Sequence, residues 1–454
     1  MSRIAKPKSF SVTKYDGIVF LIIVIYRLFL DFIYVNYVHA QFAYYHFDLD
    51  YNIKYIILSF FILFCVIWSV SRLFRDGQLT DIIIGLLILM YFIPYTSLFA
   101  YSRHDVGFAL FVLCYFLLLI SFNKLIKINK VNLIGAQTSF GDTKFFIILI
   151  IALGLLRIAA SGVYTGFRIT FDFSDYYEYR AEAREYAMPE IIRYLLGWST
   201  TGLTVGLVYS IIKKKRLLSI YVILCTVLAF SFNGKKSIMF ILFLSIAIAL
   251  FYKEKYLSKI PIMFATLGGI GVVGLILFGK NSFVCKHFIR RMLFIPPNMS
   301  ILHYDFFSSN EFDYLRSSVL RRFGFHSPYA SYGSIPRLIG AKYFSSLSLA
   351  MNANTGLCGD AFANFGYWSI LFAPLVIVLT FKILERCSKN TDRRVQVMVA
   401  VSVAYAFTNG SFFTLLLTNG ILFLMVILIF LNSGKATVGN TSFEKPKLKR
   451  TIVD

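Results

Sequence analysis

The chain has 454 residues, of which 58% are hydrophobic and 15% are charged. Soluble domains are about 45–50% apolar and about 25% charged, so this composition excludes an ordinary soluble protein. The formal net charge is +23. It does not indicate a nucleic-acid partner, because Lys and Arg also collect on the cytoplasmic side of membrane proteins.

The apolar residues lie in twelve blocks of about 16–22 residues, the length that crosses a hydrocarbon core of about 30 Å. They predict an all-α polytopic membrane protein with about twelve transmembrane helices, forming one integral membrane domain over 1–454. No small-residue cleavage site follows the basic start, so the first block is expected to be a retained helix. The predicted spans are 17–38, 53–70, 79–98, 106–122, 145–163, 191–212, 217–231, 236–252, 261–279, 362–381, 395–409 and 412–431.

The connectors between the blocks predict how the chain crosses the membrane. Alternate connectors are basic and mostly short, as in KKKR at 213–216 and ERCSKNTDRR at 385–394, and the tail 433–454 is also basic. Since basic residues favour the cytoplasmic side, we expect these connectors and both termini to be cytoplasmic. The other connectors begin with the aromatic and acidic stretch HAQFAYYHFDLDYN, which is predicted to lie outside.

Two of the outer connectors are long, at about 164–190 and about 280–358. Loops longer than about 15 residues are usually functional or disordered, and the aromatic content of these two argues against disorder. The first contains SDYYEYRAEAREYAMPE, which predicts a short surface helix. Its tyrosines suit stacking on sugar rings, and an amphipathic helix lying on the membrane is an equally open alternative.

The second long connector carries more basic residues than the outer side of a membrane favours. Within 280–358, nine Lys and Arg stand against three Asp and Glu, and Arg290 and Arg291 are adjacent. An anionic ligand would account for this excess, because guanidinium groups bind phosphate through paired N–H donors. We therefore predict an anion site at the outer face.

A short outer turn, SFNGKKSIMF, carries Lys235 and Lys236 after a glycine. Two lysines at a helix N-terminus add fixed positive charge to the helix dipole, which favours anions; the alternative is that they only reach lipid headgroups. Arg157, late in the fifth block, is a further candidate for the anion site. Arg27 and Asp31 lie four residues apart in the first block and are expected to neutralise each other.

The six cysteines show neither CxxC nor Cys/His spacing, so we predict no metal site and no cofactor. Cys285 and Cys358 lie on either side of the longest polar segment. A disulfide between them can form in an oxidising compartment, and two separate buried thiols are the alternative.

Three sequence features resemble the oligosaccharide repeat unit polymerases, the Wzy-type O-antigen and capsule polymerases. They are the basic pair after the outer turn, an R-x-F-x-x-P type start to the large loop, and a G-[DE]-x-[FY]-x-N-F-G run. The resemblance covers most of the chain in topology, and its motifs lie within about 230–370. Relatives often carry Glu at the acidic position, whereas this chain has Asp, which is one methylene shorter. The residues of the last run here are Gly359, Asp360, Phe362, Asn364, Phe365 and Gly366.

This resemblance implies a membrane glycosyltransferase at the outer face of the bacterial inner membrane, similar in fold to other lipid-linked-sugar transferases such as the O-antigen ligase. Such an enzyme moves a growing glycan from undecaprenyl diphosphate onto an incoming lipid-linked repeat unit. The product would be O-antigen, as in lipopolysaccharide biosynthesis, or capsular polysaccharide. The resemblance also implies a chain-length regulator protein as a partner.

Transfer from a diphosphate leaving group needs its developing charge stabilised, and the acceptor hydroxyl needs a general base. The predicted catalytic residues are Arg290 and Arg291 for the charge and Asp360 for the base. An N-cap role in the tenth helix is the alternative for Asp360, and His303 or Asp305 is the next candidate for the base. The predicted substrate-binding residues, which are basic, polar or aromatic, are Lys235, Lys236, Arg321, Arg322, His303, Asp305, Tyr304, Asn354, Asn364 and Arg157.

Other membrane functions fit less well. An O-antigen ligase differs only in its acceptor, and the two basic regions favour a polymerase, which needs two lipid-diphosphate sites. A polysaccharide flippase or transporter tends to place ionisable residues near the bilayer midplane and to break helices there, whereas the block centres carry few charges. An acyltransferase would need a nucleophile or a histidine within the helices, and all six histidines lie in outer segments.

Overall fold

The structure is a computed structural model, and it describes residues 14–127, 143–168, 182–183, 186–233, 236–345 and 352–433. The secondary structure of these residues is entirely helical. Nine helices in this part of the chain are long and apolar enough to cross a membrane, so the chain is a polytopic helical membrane protein. They are Lys14–Tyr45, Ile53–Asp76, Leu79–Tyr101, Val106–Leu125, Lys144–Thr165, Glu190–Ile212, Glu254–Asn281, Gly356–Ser388 and Phe412–Leu431.

Several of these spans are divided by turns, so the individual α-helices are numbered in chain order. They are α1 Lys14–Ile33, α2 Ile53–Ile67, α3 Val70–Asp76, α4 Leu79–Leu87, α5 Ile93–Tyr101, α6 Val106–Leu125, α7 Thr143–Thr165, α8 Glu190–Ile212, α9 Arg216–Asn233, α10 Lys236–Phe251, α11 Ile260–Phe278, α12 Ile295–Phe307, α13 Ile335–Tyr343, α14 Gly356–Phe365, α15 Ser369–Ser388, α16 Arg393–Asn409, α17 Phe412–Leu416 and α18 Ile421–Ser433. Three segments are π-helical, namely Tyr34–His39, Ile88–Phe92 and Cys285–Phe294.

Each of the twelve predicted blocks falls on helical segments of the structure, with boundaries that differ by several residues. The seventh and eighth blocks correspond to α9 and α10, whose apolar parts are shorter than the nine spans, and the eleventh corresponds to α16. Ion pairs join connectors of the same predicted side. Arg75 pairs with Asp16 at the basic end, and Arg103 pairs with Asp305 at the aromatic end.

A continuous helix formed by α4, a π-helical turn and α5 lies at the centre of the bundle. Every residue of its most apolar stretch is buried, with α16 packed against α4 and α2 packed against α5. By contrast, the span that contains α11 is mostly exposed and packs on α1. In a membrane such a surface faces lipid, because lipid tails are as apolar as the helix itself.

Two charges buried in the middle of α1 neutralise each other. Arg27 is fully buried and pairs with Asp31. Arg27 also donates to the Thr96 carbonyl at 2.7 Å and to the Ser59 hydroxyl at 3.2 Å, and Ser97 donates to Asp31. The ion pair expected from the four-residue spacing is therefore present, and it connects α1 to α2 and α5.

The second long connector contains a buried helix. Its π-helical segment continues directly into α12, whose first turn contains Pro296 and Pro297. Most residues of α12 are buried, and the helix packs against α14 and α5. Residues 280–358, predicted as an outer connector, therefore place one helix in the core of the bundle.

The tenth predicted span, 362–381, is divided into two helices. Gly366 follows α14 with a φ of 54°, a left-handed backbone that ends helices and favours glycine. A three-residue turn then leads into α15. Asp360 consequently lies inside α14, and Thr355 occupies the N-cap position of that helix. The alternative that Asp360 caps the tenth helix is wrong.

The Arg27→Met substitution is expected to destabilise the bundle, because it leaves Asp31 buried without its partner. Removing one member of a buried ion pair costs about 3–5 kcal/mol. The double variant Arg27→Met/Asp31→Leu removes both charges and is expected to recover most of that loss. Thermal unfolding of the purified variants in detergent measures the difference. A double variant no more stable than Arg27→Met would contradict this explanation.

Candidate functional site

Arg290 is a buried arginine that stacks on aromatic rings. It lies in the π-helical segment before α12 and is 7% exposed. Its guanidinium carbon lies 3.9 Å from the centre of the Phe42 ring and 5.6 Å from the centre of the Tyr45 ring. Both rings belong to the helical extension of α1. This geometry is a cation–π contact, which holds the guanidinium in place without neutralising it.

The Arg290 side chain forms no ion pair within the described ranges, and its Nε atom is buried there without a hydrogen-bond partner. Burial lowers the pKa of Arg290, with a smaller lowering from Arg291, while Tyr45 acts in the opposite direction. A buried charge without a counter-ion costs free energy. An anionic ligand would supply the missing partner.

Arg290 belongs to a basic cluster, defined here as Lys236, Lys286, Arg290 and Arg291. The pKa of His287 is lowered to about 4. Burial of its side chain is the largest cause, and each of the four cations lowers this pKa further. His287 is therefore neutral at pH 7. Since Lys236 begins α10, a lysine of the predicted outer turn and the two predicted arginines influence the same histidine. Lys235, its neighbour in the turn, lies outside the described residues.

Asp360 holds three parts of the structure together. Its Oδ2 atom accepts a hydrogen bond from the N–H of Phe412, the first residue of α17, at 2.8 Å. Its Oδ1 atom accepts from Asn364 at 3.2 Å, and the Asn364 amide oxygen accepts from the Leu315 N–H at 2.8 Å. A carboxylate offers about four lone-pair sites, so Asp360 retains acceptor capacity beyond these two contacts.

A pocket of about 270 Å³ lies beside Asp360 and is called the polar pocket here. Nine of its fourteen lining residues carry a hydroxyl or amide group, and such groups suit the hydroxyls of a sugar because they both donate and accept hydrogen bonds. Asn354 and Asn364, both predicted substrate-binding residues, share this wall with Asp360. The polar side chains of the wall are Ser317, Ser318, Ser334, Asn352, Asn354, Thr355, Asp360, Asn364, Ser411 and Thr414.

The end of α16 connects the basic cluster to the polar pocket. α16 runs antiparallel to α10, since Arg394 donates to the Ala249 carbonyl at 3.1 Å and Ser245 donates to the Met398 sulfur at 3.4 Å. The end of α16 therefore lies on the side where Lys236 begins α10. At that end, the Thr408 carbonyl lies so close to Gly356 that a Cβ there would approach to 2.7 Å. Gly356 begins the helix that carries the pocket carboxylate. Both groups of residues therefore lie at the same end of α16.

A crossing of α12 and α14 also fixes the two groups relative to each other. A Cβ at Gly359 would lie 3.1 Å from the Ser300 Cα atom, so a larger residue there would require a small shift of the two helices. The Ser300 hydroxyl donates to the Thr355 carbonyl at 2.9 Å. Since the arginines precede Ser300 on one continuous helix, this crossing connects them rigidly to the pocket wall.

Three predicted site residues of α12 make structural contacts instead of lining the pocket. His303 is fully buried, and its Nδ1 atom bonds the Met299 carbonyl at 2.7 Å. Tyr304 is 7% exposed and packs against Phe108. Asp305 pairs with Arg103. Burial raises the pKa of Asp305, and Arg103 opposes that shift.

The remaining predicted cations lie in separate contacts. Arg157 is buried and donates to Ser199 at 2.5 Å and to Thr200 at 2.8 Å, both in α8. Arg322 is exposed and donates to the Tyr194 hydroxyl, while its neighbour Arg321 is exposed. None of these contacts involves the basic cluster, so the arrangement separates these arginines from it.

Several residues of the site escaped the sequence analysis. Phe42 and Tyr45 stack on an arginine far away in the chain, a contact that no local pattern reveals, although the aromatic run FAYY was a weak signal. The serines and threonines of the polar pocket resemble those of any connector. Cys285 and Cys358, left open as a disulfide, are free buried thiols.

The chain was compared with known protein families, with curated proteins and with solved structures, and none of them matches it. Among the described residues, no group of three or more His, Cys, Asp or Glu side chains is placed to hold a metal ion. The basic cluster and the polar pocket together form the candidate functional site.

The burial of His303 predicts that the folded protein loses stability in acid. Burial lowers the pKa of His303 from 6.5 to about 4, so between these values the folded protein binds fewer protons than the unfolded chain. The stabilisation is complete above pH 6.5 and is lost as the pH falls toward 4, by roughly 3 kcal/mol in total. Thermal unfolding should therefore show a smaller decrease from pH 7 to pH 4.5 for His303→Phe than for the wild type. Equal pH dependence would contradict the buried, neutral imidazole.

Proposed function

We propose that this chain is a membrane glycosyltransferase that polymerises oligosaccharide repeat units linked to undecaprenyl diphosphate. It would act at the periplasmic face of the bacterial inner membrane and build O-antigen or capsular polysaccharide. In this proposal all twelve helical blocks cross the membrane, and both termini are cytoplasmic. Donor and acceptor are both lipid-linked glycans, and a chain-length regulator is a further partner.

The basic cluster is the observation that carries this proposal. Its Arg290 is 7% exposed and lacks an ion pair in the described residues, and all four of its cations lower the pKa of the same histidine, His287. Arginine offers a planar set of N–H donors that matches phosphate oxygens. A diphosphate would neutralise the buried charge of Arg290 and would bring enough negative charge to engage Arg291 and Lys236 as well.

The proposed glycosyl transfer requires the positive charge of the basic cluster next to the leaving diphosphate. The acceptor hydroxyl forms a bond to the anomeric carbon of the donor sugar while the bond from that carbon to the diphosphate oxygen breaks. The bonding electrons leave on the diphosphate, and fixed positive charges aimed at that oxygen stabilise the transition state. Arg290 and Arg291 are proposed to do this, with Lys236 and Lys235 binding the diphosphate.

The polar pocket is proposed to hold the acceptor sugar. Its volume of about 270 Å³ and its hydroxyl and amide lining suit one sugar ring. Asp360 would accept the proton of the attacking hydroxyl, since it keeps free lone pairs and lies in the pocket wall. Asn354 and Asn364 would orient the ring, and Asn364 also holds the Asp360 carboxylate in place.

A strain that lacks this gene tests the proposal by the length of its surface glycan. We expect the deletion strain to carry single repeat units, and the wild-type gene to restore a ladder on a gel. Arg290→Ala is expected to lower polymerisation by about 10²-fold or more, the effect of removing one donor to a developing anion. Asp360→Asn keeps an oxygen for the Phe412 N–H but is a weaker base, so it should lose the ladder at normal protein levels.

The matched control is Arg316→Ala, because Arg316 is an arginine of the same segment that pairs with Glu311 at 2.7 Å. It should leave the ladder unchanged. Loss of all attached glycan in the deletion strain, single units included, would instead indicate ligation or flipping. A normal ladder in Arg290→Ala and Asp360→Asn would show that these residues are structural.

A further inference from the structure

The polar pocket has a negatively charged wall. Asp360 is the only charged residue that lines it within the described part of the chain. A second acidic side chain lies directly behind the wall, because the fully buried Asp313 accepts hydrogen bonds from the N–H and the hydroxyl of Ser317, a wall residue, at 2.9 and 2.7 Å. Ser327 also donates to Asp313 at 2.6 Å. The charge presented to a ligand in this pocket is therefore negative.

Two arginines adjoin wall residues in the sequence, but their guanidinium groups are engaged elsewhere. Arg316 donates from Nε to the Asp313 carbonyl at 2.9 Å and from Nη2 to Glu311 at 2.7 Å. Arg337 is exposed, and its Nη1 atom lies 3.5 Å from the position that a Cβ of Gly333 would occupy. Neither side chain lines the pocket. A ligand there would find no guanidinium from these two neighbours.

The rest of the wall suits a sugar ring without a charge. Four apolar residues line the pocket together with the nine that carry a hydroxyl or amide group, and they are Leu315, Ile335, Pro336 and Phe413. A sugar ring has apolar C–H faces and a rim of hydroxyls, so it can contact both kinds of surface. The hydroxyls can donate to Asp360 and can exchange hydrogen bonds with the serines, threonines and asparagines.

We propose that the polar pocket accepts a sugar without a carboxylate and excludes uronic acids. This inference rests on the proposed function and names the class of its acceptor sugar. In a pocket of about 270 Å³, the carboxylate of a uronic acid would lie close to Asp360. Like charges at close range repel strongly when no cation lies between them. Acidic sugars of the glycan would therefore occupy other positions of the repeat unit.

The charge of the wall also suits the proposed role of Asp360 as a base. A lysine or arginine in the wall would bind an acidic sugar, but it would also pair with Asp360. An adjacent positive charge favours the ionised form of a carboxylate and makes it a weaker base. The exclusion of acidic sugars is thus a consequence of keeping the base unpaired.

Binding of small glycosides to the purified full-length protein in nanodiscs tests this selection. The probes are methyl glucoside, methyl glucuronide and the methyl ester of that glucuronide, together with the corresponding compounds of the galactose series. The ester keeps the shape of the acid and removes its charge. Titrations at neutral pH, followed by saturation-transfer NMR, give the affinities. In at least one series, the neutral glycoside and the ester should bind, and the acid should bind about tenfold or more weakly, because like charges repel.

Three variants change the charge of the pocket. Asp360→Asn removes the negative charge, whereas Ser318→Lys and Thr414→Lys each add a cation at an exposed wall residue. Each should raise the affinity for the uronic acid by about tenfold, with no matching gain for the neutral glycoside. Two lysine variants are used because one of them could fold poorly, and all variants are compared by elution as a single species and by thermal unfolding.

The matched control is Ser309→Lys, which adds the same charge at an exposed serine that does not line the pocket. It should leave the preference for the neutral glycoside unchanged. Equal binding of acid and ester to the wild type would overturn the proposal. So would the absence of saturable binding by every glycoside, or a gain for the acid in Ser309→Lys as large as in the folded pocket variants.

Failure of this inference and failure of the proposed function are distinguishable. Selective binding of neutral glycosides by a protein whose gene deletion leaves the glycan ladder intact would refute the polymerase and keep the sugar site. Equal binding of acidic and neutral glycosides by a protein that is required for the ladder would refute the charge selection and keep the polymerase.

Discussion

A buried guanidinium without a carboxylate partner is the constraint on which this end of the helix bundle depends. Arg290 is held by the faces of two aromatic rings, which stabilise its position but leave its charge uncompensated. The segment that carries it is anchored to α11 through Cys285 and continues into the buried helix α12. Three elements are thus organised around a positive charge for which an anionic ligand is the natural counter-ion.

Positive and negative charge are kept apart in the candidate site. The carboxylate of Asp360 is held by an N–H group of α17 and by Asn364, and no arginine of the basic cluster pairs with it in the described part of the chain. A direct pair would neutralise both groups and remove their chemistry. In the proposed transfer, separate placement would allow the cations to stabilise the leaving group while the carboxylate accepts a proton. The rigid crossing at Gly359 maintains that separation.

The sequence predicted the helical architecture well, because a run of apolar residues long enough to cross a bilayer has few other structures open to it. It also grouped Lys236 with Arg290 and Arg291 by their unfavoured charge, and the structure places all three around His287. It did not predict the burial of His303, since a polar residue in a long connector carries no signal of a core helix, and for Tyr304 core packing was one of two open alternatives. The stacking of Phe42 on Arg290 and the helix break after Phe365 arise from tertiary packing and from one glycine dihedral angle.

The most direct measurement is polymerisation by the purified protein. The protein would be placed in liposomes with a single repeat unit linked to undecaprenyl diphosphate, and the products would be separated by size. The account predicts a ladder of longer glycans, release of undecaprenyl diphosphate in step with each bond formed, and neither with Arg290→Ala. A folded wild-type protein that leaves the repeat units unchanged would contradict the account, and so would an Arg290→Ala variant as active as the wild type.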